Sequence, residues 1–161
     1  LYVYKYLDNL ADAIDRIVEK EAMHSFYYLT NSNIDNSVMS VSNRIIALIE
    51  RKAKLINIKV LTEEVLENCR ELNAQLLIER YIDNDRSEDI AIRHDMPIRT
   101  YFRKLIQAED NFSSLMADRG YDEKRLHEYL KEEKWIKDVY NGFLTKRFGE
   151  ESLLEELKRA I

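Results

Sequence analysis

Residues 86–108 read RSEDIAIRHDMPIRTYFRKLIQA, and the fold turns on how this stretch is parsed. Ile90 and Ala91, then Met96, then Tyr101, Leu105, Ala108 and Phe112 mark one apolar face. Their three- and four-residue steps are those of helices, and strands would alternate every second residue. HDMP interrupts the pattern, so the spacing predicts a short helix up to His94, a tight turn, and a longer helix from Pro97 towards Met116. Pro at a first helical turn is tolerated because its missing N–H would have no intrahelical partner there.

The same window concentrates positive charge. Arg86, Arg93, Arg99, Arg103 and Lys104 stand against Glu88, Asp89 and Asp95, a net of +2 in a chain of −5, which leaves −7 for the remainder. From Met96 to Ala108 there is no acid. With Tyr101, Leu105 and Ala108 facing inward, Ile98, Arg99, Phe102 and Arg103 are expected to point outward near the start of the second helix. Side chains there reach base edges when such a helix enters a major groove.

Outward from this window the rest of the chain also reads as helix. It has 161 residues, 45% hydrophobic and 34% charged, with three Gly and one Pro. So few backbone punctuators argue against a sheet with many tight turns and for an all-α fold. Apolar residues at 3, 7, 10, 14 and 17, widened by 11, 18 and 22, predict a helix from Leu1 to about Leu29. TNSNIDNS, residues 30–37, reads as a connector because its short polar side chains bond their own backbone. A second long helix is predicted from about Val41 to Arg70, with Val41, Ile45, Leu48, Ile49, Leu55 and Ile56 on one face, then Ile58, Leu61, Val65, Cys69 and Leu72. Joined by so short a connector, the two helices should pack antiparallel, and their apolar stripes suggest a homodimer.

A short helix from Asn73 to about Ile82 and a polar break at Asp83 to Asp85 lead into the opening stretch. Asp85 and Glu88 have the spacing of a capping box, with Ser87 and Asp89 as the alternative. Beyond it, Gly120 should stop the long helix and Asp122 should cap another, from Glu123 to about Phe143, that carries Leu126, Tyr129, Leu130, Ile136, Val139 and Tyr140. EESLLEELKRAI, residues 150–161, reads as a last short helix with its acids early and its bases late. The expected organisation is 1–70 for the long helices, 71–118 for the basic helical pair and 119–161 for a C-terminal extension.

LLIERYIDNDRSEDIAIRHDMPIRTYFRKLIQAEDNF resembles region 4 of bacterial sigma factors, and in particular small phage and prophage transcriptional regulators of the ArpU type. Leu77, Arg80, Tyr81 and Ile82 match before the motif, Ile90 and Ala91 in its first helix, and Met96, Arg99, Thr100, Tyr101, Arg103, Leu105 and Ala108 in its second. The resemblance runs from about Leu48 to Phe112 and implies a helix-turn-helix regulator that binds double-stranded DNA. On that reading Arg99 and Arg103 read bases, Arg86, Arg93 and Lys104 hold phosphates, and Ile98, Thr100 and Phe102 complete the DNA-facing set. Three positions depart from the pattern: Asp95 at the turn position usually held by Gly, His94 at an apolar position, and Glu109 where Leu is usual. The alternative is a non-catalytic interaction module of the same fold that docks on RNA polymerase or another regulator.

Other chemistries lack their residues. His24, His94 and His127 have no metal-ligand spacing, and the glycines at 120, 142 and 149 form no phosphate loop. No enzyme activity, metal or cofactor is expected. Tyr2, Tyr4, Tyr6, Tyr27 and Tyr28 raise the idea of stacking on single-stranded DNA, but their helix is acidic, and core or interface Tyr is the better reading. Cys69, the single cysteine, falls on the apolar face as a buried thiol. No run approaches the length of a membrane span and LYVYKYLDNL has no basic leader, so the expected location is cytoplasmic. The chain opens on Leu1 rather than Met, as a piece of a longer protein would.

Overall fold

A computed structural model describes residues 1, 3–29, 35–131 and 133, and among these residues it has six α-helices and one π-helical turn. No strand occurs among the described residues, so the fold is all-α. The helices are α1 (Tyr4–Leu29), α2 (Asp35–Asn68), α3 (Glu71–Leu77), α4 (Ser87–Arg93), α5 (Ile98–Asp118) and α6 (Glu123–Tyr129), with the π turn Ile78–Ile82 directly after α3. Among the described residues no helix is long and apolar enough to cross a membrane. The described residues divide into two compact units, Tyr4–Glu64 and the remainder.

The Tyr4–Glu64 unit is an antiparallel helical hairpin whose register is written in its polar contacts. Lys59 Nζ donates to Asp8 at 2.7 Å, Lys52 Nζ donates to Asp15 at 2.6 Å, and the Tyr4 hydroxyl donates to Glu63 at 2.6 Å. In each pair the α1 residue rises as its α2 partner falls, as antiparallel neighbours require. Arg44 and Glu21 continue the series at 3.3 Å. Leu7 and Ile14 of α1 and Leu55 and Ile58 of α2 are buried, while Val41, Ile45 and Leu48 are half-buried. Ile49 and Ile56, predicted on that face, are instead exposed, because the stripe assigned to one face divides between two. The second helix also starts earlier than predicted, at Asp35 inside the expected connector; residues 30–34 lie outside the described part.

In the other unit Leu66, Leu76, Leu77, Tyr81, Ile90, Ala91, Tyr101, Leu105 and Ala108 form a single buried cluster, with Leu72, Ile82, Met96 and Phe112 packed at its edge. Burial of its Leu and Ile side chains contributes about 1.5–3 kcal/mol each. The π turn closes with Asp83 N–H donating to the Ile78 carbonyl at 3.0 Å. It brings buried Tyr81 to a position where its hydroxyl donates to Glu109 of α5. The departure at 109 thereby has a physical reason, since a Leu could not accept from this phenol.

Two helices end in the same way. Asp95, at φ 47°, follows α4; its N–H donates to Ile92 O at 3.0 Å and that of Met96 to Ala91 O at 2.9 Å. Gly120, at φ 82°, follows α5, with Gly120 N–H on Ala117 O at 2.8 Å and Tyr121 N–H on Met116 O at 3.0 Å. Both are Schellman ends, which need a left-handed residue just past the helix. Asp122 then caps α6, its carboxylate accepting from Arg125 N–H at 2.8 Å.

Two expectations are corrected. The capping box at the start of α4 does not form: Arg86 is the cap residue, with no side-chain cap bond, and the Asp85 carboxylate accepts from Arg93 instead. Ser87, the alternative cap, is buried with its hydroxyl unpartnered. The helix opened by Asp122 ends at Tyr129 rather than near Phe143, turning at Leu130. Ile136, Val139, Tyr140 and the helix expected over 150–161 lie outside the described residues.

Candidate nucleic-acid interface

The candidate interface is the N-terminal half of α5 and the turn before it. Pro97, in extended conformation at φ −58° and ψ 142°, is the cap residue of α5 and not, as predicted, its first helical residue; its carbonyl accepts from the N–H groups of Thr100 and Tyr101 at 2.8 and 3.0 Å. Tyr101, Leu105 and Ala108 anchor the helix in the core. That anchoring orients the rest: Ile98, Arg99 and Arg103 are exposed, and Thr100 and Lys104 half-buried. Among the described residues no ion pair engages Arg86, Arg99, Arg103 or Lys104. Three of these four lie on the acid-free stretch of α5.

Arg93 and Phe102 stand differently from the others. Arg93 Nη1 lies 3.1 Å from Glu79 and its Nη2 2.9 Å from Asp85. Those hydrogen bonds, Asp85 first and then Glu79, hold its guanidinium above the ordinary arginine value. Arg93 therefore ties α4 to the π turn and the loop after it. Phe102, expected to point outward, is half-buried, packs against the core cluster and meets Tyr101 edge-on at 5.2 Å. At 100° per residue it lies between the exposed face and the buried one, so only part of its ring faces solvent.

His94, the other departure in the turn, completes the Arg93 network. Its Nε2 sits 3.1 and 3.2 Å from the two carboxylate oxygens of Glu79, and both side chains are largely buried, at 15% and 16% exposed. A polar residue at that position is matched by an acid from the π turn. Away from this face, burial pushes the Cys69 thiol up, with nearby Arg119 opposing the shift, and no group of His, Cys, Asp and Glu among the described residues is arranged to hold a metal.

The exposed face of α5 runs further than the motif alone indicated. Ile106 and Gln107 are both exposed, three and four residues on from Arg103. Continuing the step from Arg99 to Arg103 by one more turn would have found them. Ile92, near the end of α4, is 77% exposed. What the arrangement offers is a short basic helix face edged by apolar side chains. No family model, curated protein or solved structure matches the chain.

Proposed function

We propose that the protein is a DNA-binding transcriptional regulator with a sigma region 4-like helix-turn-helix, in which α4 supports and α5 enters the major groove of a duplex. The observation that carries this reading is the pair Arg99 and Arg103, exposed one turn apart at the start of α5 on a helix whose other side is locked into the core. Arginine on such a helix presents its planar fork to guanine O6 and N7. Arg86, at the cap of α4, and Lys104, beside Arg103, are placed in sequence to meet the phosphates that flank a groove. Arg93 contributes by holding the turn, because two carboxylates already engage it.

Measuring affinity for mixed-sequence duplex DNA over a range of salt tests this. A DNA-binding protein loses affinity linearly in log salt as it displaces counterions. A flat salt response, or no binding at low salt, would overturn the reading. Exposed Ile92, Ile98 and Ile106 favour a second reading, a non-catalytic interaction module on RNA polymerase or another regulator. Retention by polymerase without affinity for DNA would select it.

A further inference from the structure

We infer that Gln107 is a third base reader on α5, one that selects an adenine, so that the helix lies along the groove and its site joins an A·T pair to the G·C pairs met by Arg99 and Arg103. This rests on the DNA-binding reading and adds to it which base pairs are chosen. The buried Tyr101, Leu105 and Ala108 fall within an arc of about 60° at 100° per residue. Opposite them, an arc of about 100° between Ile98 and Glu109 holds Arg99, Arg103, Ile106 and Gln107 alone. All four are exposed, Ile106 at 53%. Asp110 is the next residue on this face and is exposed as well. Its carboxylate repels phosphates, which sets the far limit of contact just beyond Gln107.

Arg99, Arg103 and Gln107 step by four residues, a ridge of hydrogen-bonding side chains about 12 Å long at the helical rise. Bases along a strand are spaced at about 3.4 Å, so the ridge spans roughly three base steps. The side chains at its far end specify the pair. A glutamine amide donates to N7 of adenine and accepts from its N6 amino group at once, whereas a guanine edge offers two acceptors and suits arginine. Ile106, beside Gln107, is aliphatic, and thymine alone among the four bases presents a methyl group in the major groove. By separate chemistries both residues therefore point to the same pair. Among the described residues no hydrogen bond engages the Gln107 side chain, so its amide is available to a base.

Selecting duplexes from a random pool with the full chain, then repeating the selection with Gln107→Ala, tests the assignment. The parent should retain an A·T pair at a fixed spacing from its G·C pairs. The variant should lose preference at that pair alone and bind the best duplex roughly tenfold more weakly, with its salt slope kept because no charge is removed. Gln107 is exposed, so the helical circular dichroism of the variant should match the parent's. A duplex in which the N7 of that adenine is replaced by carbon lacks one of the two acceptor and donor sites. It should weaken binding by the parent and leave binding by Gln107→Ala unaltered. An A·T preference that survives Gln107→Ala, or an equal penalty for the altered adenine in both proteins, would overturn the assignment while DNA binding stands. A parent without salt-dependent affinity for any duplex would fail the DNA-binding reading itself, and this one with it.

Discussion

The imidazole of His94 and the carboxylate of Glu79 face each other at 3.1 and 3.2 Å, joining the end of α4 to the π turn. Arg93 reaches the same carboxylate and Asp85 as well, so three elements meet on Glu79 and its neighbour. The turn that aims α5 is thereby held by polar contacts on one side and by the apolar cluster on the other.

Glu79→Ala removes the acceptor of a largely buried imidazole, and stranding such a group costs roughly 1–3 kcal/mol. Glu79→Gln keeps an acceptor for His94 but loses the charge that attracts Arg93, so its loss should be smaller. Urea unfolding monitored by circular dichroism measures both. An unchanged midpoint for Glu79→Ala would show that the network adds nothing to the fold.

Tyr81 and Glu109 invite a double-mutant cycle. Tyr81→Phe and Glu109→Leu each break the bond and leave a partner behind, at about 1–2 kcal/mol apiece. Together they replace a matched polar pair with two apolar groups, and the double variant should lie closer to the parent than the summed singles. Additive losses would mean that the two residues act independently.

Asp95 holds a left-handed conformation at φ 47°, a region that penalises an L side chain by roughly 1–2 kcal/mol, less for Asp. Asp95→Gly should raise stability by about 0.5–1 kcal/mol, and Asp95→Val should lower it by about 1–2 kcal/mol. Thermal unfolding gives the order Gly above Asp above Val. Any other order would place the strain elsewhere.

How far the sequence disclosed all this depends on the range of the interaction concerned. Asp95, Gly120 and Asp122 were legible because helix ends are set by local backbone chemistry within a few residues. The buried set Ile90, Ala91, Tyr101, Leu105 and Ala108 was legible from its period. The cap of α4 was not, since Asp85 is drawn away by Arg93 eight residues on, a choice that only the folded chain makes. The π turn was hidden because widening one turn shifts the apolar register that a regular helix would keep. Helical angle turns Phe102 outward and the resemblance gives Arg93 to a phosphate, whereas in the fold Phe102 meets Tyr101 and Arg93 meets Glu79, contacts that neither reading contains.

Arg103 and Lys104 are adjacent on α5 but point about 100° apart, and the structure leaves Arg103 exposed and Lys104 half-buried. Under the proposed function they should behave differently. Arg103, one turn on from Arg99, carries a fork suited to a guanine edge; Lys104 sits to its side as a flexible point charge suited to a phosphate. Arg103→Ala should therefore cost roughly 1–3 kcal/mol on the best duplex and relax preference at one base pair, while Lys104→Ala should weaken all duplexes alike and lower the salt slope by about one unit. Arg93→Ala supplies the contrast: it should reduce unfolding stability through the loss of Glu79 and Asp85, with the salt slope unchanged. Selecting bound duplexes from a random pool and titrating each variant against salt measures all three. Equal, sequence-independent losses at 103 and 104 would reduce the interface to non-specific attraction, and no loss from either would remove α5 from the DNA altogether.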